Sequence, residues 1–108
     1  MITTSDGGFV AVGNSDAFDG DWPAGTTGKG GYDATIVKFN SSVVMVWAKN
    51  FGGTGNDYFN SVTATSDGGF IAVGFSGTFD GDWTTAGVTG KGNNDTTIVK
   101  FDSTGSVI

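Results

Sequence analysis

Thr65–Trp83 reads TSDGGFIAVGFSGTFDGDW and Thr4–Trp22 reads TSDGGFVAVGNSDAFDGDW; 15 of the 19 aligned positions are identical, at an offset of 61 residues. A period of that length marks one supersecondary unit written twice, a unit that cannot bury its apolar face alone. Downstream, Thr35–Phe39 (TIVKF) returns as Thr97–Phe101 at an offset of 62, so the second copy carries one extra residue after Trp83. Gly28-Lys29-Gly30 returns as Gly90-Lys91-Gly92, and Asp33 as Asp95. Two units follow from this alignment. Residues 1–61 hold the first, which starts inside its first strand, and 62–108 the second, which stops inside its fourth. Counterparts of Trp47–Ser61 are missing from the set. The chain is therefore expected either to be a piece of a longer array or to receive from neighbouring chains what it lacks.

Composition sets the fold class. The 108 residues contain no Leu, Glu, Gln or Arg, which removes most strong helix formers. Val, Ile, Phe, Trp and Thr favour strands, and 20 Gly supply turns between many short ones. An all-β chain is predicted. Assembled from both copies, one unit has strands at Asn60–Thr65, Phe70–Phe75, Thr96–Phe101 and Val43–Phe51. Ser66–Gly69 makes the first hairpin turn, with Asp and Gly expected at positive φ, and Asp102–Gly105 makes another. Val43 stands where the second copy has the turn glycine Gly105. Four antiparallel strands in about sixty residues is the plan of a propeller blade, so the expectation is a β-propeller segment of about two four-stranded antiparallel blades. The loops 15–33 and 76–95 are long for such a blade. Both keep Phe-Asp-Gly-Asp-Trp and Gly-Lys-Gly, which reads as order.

The strung-together pattern is I-V-K-F-[DN]-S-x-x-x-V-x-W-x-K-x-F-G-G-x-G-x-D, then S-V-T-A-T-S-D-G-G-F-I-A-V-G. It resembles the tandem repeats of bacterial secreted and cell-surface β-propeller proteins. The resemblance implies a four-stranded blade and an extracellular or cell-surface setting, and assigns no chemistry. No signal peptide is visible at Met1–Thr4, and no apolar run reaches the roughly 20 residues of a membrane-spanning helix.

All 11 acidic residues are Asp against five Lys, a formal net charge of −6. That balance argues against nucleic acid and anionic membrane surfaces as partners. The chain has neither Cys nor His, which excludes disulfides and both Ser-His and Cys-His nucleophile systems within one chain. Asp carboxyls could in principle serve a carbohydrate-active enzyme, yet these recur in both units, whereas a catalytic pair needs two different environments. Gly52–Phe59 (GGTGNDYF) fits the calcium β-roll nonamer, but it occurs once, and such rolls stack every nine residues. A glycine-rich corner between an outer strand and the next inner one fits better. Asp19, Asp21, Asp33, Asp80, Asp82 and Asp95 are candidate calcium ligands in Gly-rich loops, with turn-forming Asp as the plainer alternative. Trp22 and Trp83 sit at one loop position in each unit. They are either plugs that pin the loop to the blade or platforms for a glycan. The reading that results is a non-enzymatic module, structural or binding glycan or protein. A fragment of a propeller enzyme and a purely architectural repeat are the alternatives. Its expected partners are further blades or other copies, closing a ring as a homo-oligomer.

Overall fold

The computed structural model describes residues 1–23, 26–85 and 95–108. Among the described residues seven strands run in chain order: β1 (Ile2–Thr3), β2 (Phe9–Ser15), β3 (Asp33–Phe39), β4 (Met45–Phe51), β5 (Asp57–Ala64), β6 (Phe70–Ser76) and β7 (Asp95–Phe101). A single helical turn, α1 (Asp82–Thr85), interrupts the second long loop. The strands form two antiparallel sheets, β1-β2-β3-β4 and β5-β6-β7, each in sequence order. The second sheet also begins a fourth member: Val107 bridges Phe101, as Met45 pairs with Phe39. Register repeats as well. Val10 faces Lys38 and Ser15 faces Asp33, while Ile71 faces Lys100 and Ser76 faces Asp95. The strand boundaries predicted from sequence shift by a few residues. β5 begins at Asp57, three residues before Asn60, and β4 begins at Met45 rather than Val43.

The TSDGG hairpin is one device used twice. The Gly7 N–H donates to Thr4 O at 3.1 Å, the Thr4 N–H to Gly8 O at 2.9 Å, and the second copy repeats both bonds. Only the glycine takes positive φ, +83° at Gly7 and +86° at Gly68; Asp6 and Asp67 do not, which corrects the expectation for the Asp. The carboxyl serves differently: it accepts the N–H two residues on (Gly8, Gly69) and the hydroxyl two residues back (Thr4, Thr65). Each also pairs with a strand lysine, Lys38 with Asp6 at 3.2 Å and Lys100 with Asp67 at 3.0 Å. These donors, the threonine hydroxyl foremost, hold Asp6 down at about 2 and Asp67 well below the usual carboxylate range. In the Asn40–Val44 turn Val43 sits at φ +63°, where Gly105 of the second copy sits at +82°.

The sheets stack face to face through opposite faces of the repeat. From the first sheet Val10, Ala34, Ile36 and Phe51 enter the core; from the second Phe59, Val62, Phe70, Ala72, Val99 and Phe101. Strand alternation explains this choice, since side chains at alternate positions point to opposite sides. The identical TIVKF strands are thus used in opposite senses: Ile36 is 0% exposed and its counterpart Ile98 is 71% exposed.

Candidate functional site

β4 ends at Phe51 and β5 begins at Asp57, so Gly52–Asn56 form the corner that links the two sheets. With no bulky side chains in the way, four successive backbone N–H groups meet side-chain oxygens. Gly52 donates to Asp82 Oδ2 at 3.0 Å, Gly53 to Asp57 Oδ2 at 3.0 Å, Thr54 to Asp80 Oδ1 at 2.8 Å and Gly55 to Thr78 Oγ1 at 2.8 Å. A run of converging N–H groups is a natural anion cradle. Here three of the four acceptors come from the 76–83 loop. Glycine is needed by proximity: a Cβ on Gly53 would lie 2.0 Å from Asp80 Oδ1, and one on Gly55 would lie 2.3 Å from Thr78 Oγ1. The Thr54 hydroxyl, then its N–H, lowers the Asp80 pKa.

Behind this corner lies Asp57, fully buried. Its Oδ1 accepts the indole N–H of Trp83 at 2.8 Å and the Ser76 hydroxyl, while Oδ2 takes Gly53. Trp83 is 4% exposed, edge-on to Phe51 with ring centroids 4.7 Å apart and 5.2 Å from Phe79. Lys29 reaches in from the first unit to Asp82 at 3.3 Å.

Of the candidates named from sequence, Asp80, Asp82 and Trp83 come together at the corner, the two carboxyls accepting its backbone N–H groups. Trp83 presents almost no ring face to a ligand. Asp19, Asp21 and Trp22 hold the same loop shape: Trp22 N–H bonds Asp19 O at 3.3 Å as Trp83 N–H bonds Asp80 O at 3.1 Å, and Gly20 and Gly81 share φ near +60° (+62° and +58°). Trp22 is half-buried against Phe18, 4.9 Å between centroids. Asp33 is buried, its Oδ2 accepting the Lys29 N–H at 2.8 Å and the Asn50 amide at 3.0 Å, with Oδ1 unpartnered among the described residues. Asp95 opens β7 opposite Ser76. Gly90-Lys91-Gly92 lies outside the described residues. Among the described residues no three acidic side chains converge as a metal group would require. Asp57 escaped the comparison of repeats because its counterpart is not among the 108 residues; the one signal was its place closing the glycine corner.

No protein-family model matches the chain, and comparison with curated proteins finds no significant relative.

Proposed function

We propose that the chain is a non-enzymatic repeat module, two consecutive blades of a β-propeller, whose role is assembly with further units of its own kind. The observation that carries this is the opposite burial of Ile36 and Ile98 in one and the same strand sequence. Each unit offers two different apolar faces, and the contact between the two units uses one of each. A heterologous contact of this type leaves the complementary pair of faces free at the two outsides and propagates until a ring closes. The outer face of the second unit carries Ile98, and that of the first carries Phe9 stacked on Phe39, 5.2 Å between centroids. Propellers close with roughly four to eight blades, so two-blade chains reach a ring as dimers, trimers or tetramers. Three or four chains require the gentler wedge between blades. The commitment of Asp57, Asp80 and Asp82 to N–H and hydroxyl donors supports a structural rather than a catalytic use of the carboxyls. The extracellular or surface setting rests on the resemblance of the repeats alone.

A pair of substitutions tests this reading. Ile98→Lys places a charge on the outer face and should leave strand content intact by circular dichroism while sedimentation velocity shows the assembly reduced to single chains. Ile36→Lys buries the same charge in the core and should abolish the fold. Unaltered sedimentation of Ile98→Lys would refute assembly through this face.

A further inference from the structure

Trp47 of the first unit is seated on a turn of the second. Its indole N–H donates to Ser103 O at 3.3 Å, and its ring stands edge-on to Phe70 with centroids 6.1 Å apart. The ring lies directly over Gly105. A Cβ there would be 2.8 Å from Trp47 Cε3 and 2.9 Å from Cζ3, whereas carbon atoms pack at about 3.5–4.0 Å. The seat therefore needs glycine for room as well as for its φ of +82°.

The first unit builds the same turn and obstructs the same seat. The Asn40 N–H donates to Val44 O at 2.9 Å and the Val43 N–H to Asn40 O at 3.0 Å, as Asp102 donates to Ser106 O at 2.8 Å and Gly105 to Asp102 O at 3.1 Å. Asn40 Oδ1 accepts the N–H groups of Ser42 and Val44, as Asp102 Oδ1 accepts those of Thr104 and Ser106. Ser41 stands for Ser103 and Phe9 for Phe70. What differs is Val43, whose isopropyl group projects where Gly105 leaves space for an indole. The turn itself disfavours this residue: φ is +63°, an outlier for a β-branched side chain. Such strain persists where the position has a use. Two independent observations thus fall on one residue, a side chain that the turn resists and one that fills the place of a docking tryptophan.

We propose that Val43 makes this face of the first unit selective: it turns away a repeat unit that carries tryptophan at the position of Trp47 and admits one with a small side chain there. The proposal rests on the reading of that face as a docking face for units of this kind, and it holds whether the docking unit is joined to this chain or separate. A clash built against the wrong partner discriminates as well as a contact made to the right one. The consequence is order. A face bearing Trp47 finds its seat on a second unit, with Gly105 beneath the ring. On another first unit the ring clears Val43 only by giving up the turn carbonyl and the phenylalanine edge that hold it.

The junction inside the chain offers the direct test, because Gly105→Val places the same obstruction beneath a tryptophan whose seat is known. Strain within the turn is the same whatever lies above it, so a cycle with Trp47→Ala separates the clash from the strain. Urea denaturation followed by circular dichroism gives the folding equilibrium constants. Gly105→Val should lower that constant at least about tenfold more in the parent than in Trp47→Ala, the lower range of what overpacking costs. If Gly105→Val does not fold, Gly105→Ala carries the same cycle with one methyl group. Equal losses in both backgrounds overturn the proposal. On the open face itself, a single tryptophan appended after Ile108 falls 62 residues beyond Trp47, the offset of the second unit. By light scattering it should lower the mass of the assembled chain, and adding Val43→Gly should restore it. An assembly that the appended residue leaves intact, or that Val43→Gly fails to restore, overturns the selectivity. If the chain without the added residue runs singly, the assembly reading fails, and the cycle alone decides whether this position reads its neighbour.

Discussion

Removing the Asp57 carboxyl should be among the most damaging single changes in the molecule. The side chain is fully buried and receives the Trp83 indole N–H at 2.8 Å, the Gly53 N–H at 3.0 Å and the Ser76 hydroxyl. Asp57→Ala leaves two N–H donors buried without acceptors; Ser76 keeps Thr78 O, 2.7 Å away. At about 1–3 kcal/mol for each unsatisfied donor, the loss is about 2–6 kcal/mol. A domain of this size has a total of only about 5–15 kcal/mol, so the variant sits near the limit of folding. Asp57→Asn is the informative companion. Its amide oxygen can still take Trp83, while its NH₂ faces the Gly53 N–H, so about half the loss is expected. Urea denaturation followed by Trp fluorescence measures all three proteins. A cycle with Trp83→Phe, which deletes only the indole donor, then isolates the pair, and coupling of at least about 0.5 kcal/mol is expected for groups in contact. An Asp57→Ala unfolding free energy within about 0.5 kcal/mol of the parent, as for an ordinary surface change, would refute the role of the corner as a clamp.

The two tryptophans should separate: Trp83→Ala, made at a 4% exposed site, should cost about 3–5 kcal/mol, whereas Trp22→Ala should leave the melting temperature of the isolated chain within a few degrees. Val43 holds a β-branched side chain at φ +63° while 65% exposed, so Val43→Gly relieves strain without losing a core contact and should raise the unfolding free energy measured by urea denaturation by about 1 kcal/mol. Asp6 and Asp67 have folded pKa values below the ordinary 3.8, so their contribution is present above that value and is lost as pH falls through it toward about 2 for Asp6 and lower for Asp67. Thr65→Val removes the largest cause at Asp67 and should move its carboxyl titration, followed by NMR, up toward the ordinary value.

Much of the fold was legible because local rules suffice for it. TIVKF is mostly β-branched and aromatic, TSDGG closes a hairpin through its glycine, and the repetition of both set order and register. The role of the aspartate in that turn was misjudged: Asp6 and Asp67 act through side-chain acceptors rather than through φ. What could not be read was whatever local sequence leaves undetermined. Ile36 and Ile98 lie in identical pentapeptides, and which is buried depends on what stacks upon each. The Asp57–Trp83 bond spans 26 residues, and the 108 residues hold no second copy of Asp57 to draw attention to it. For the same reason Asp80 and Asp82, read as candidate metal ligands, meet backbone N–H groups from a corner that sequence spacing does not bring to them.

The central claim is that the two units meet through unlike faces and leave the complementary pair exposed. Light scattering coupled to size-exclusion chromatography of the purified chain tests it most directly. The account predicts a closed species of three or four chains, about 33 or 44 kDa from the 11.0 kDa chain. A monodisperse, cooperatively melting species of 11.0 kDa would contradict it.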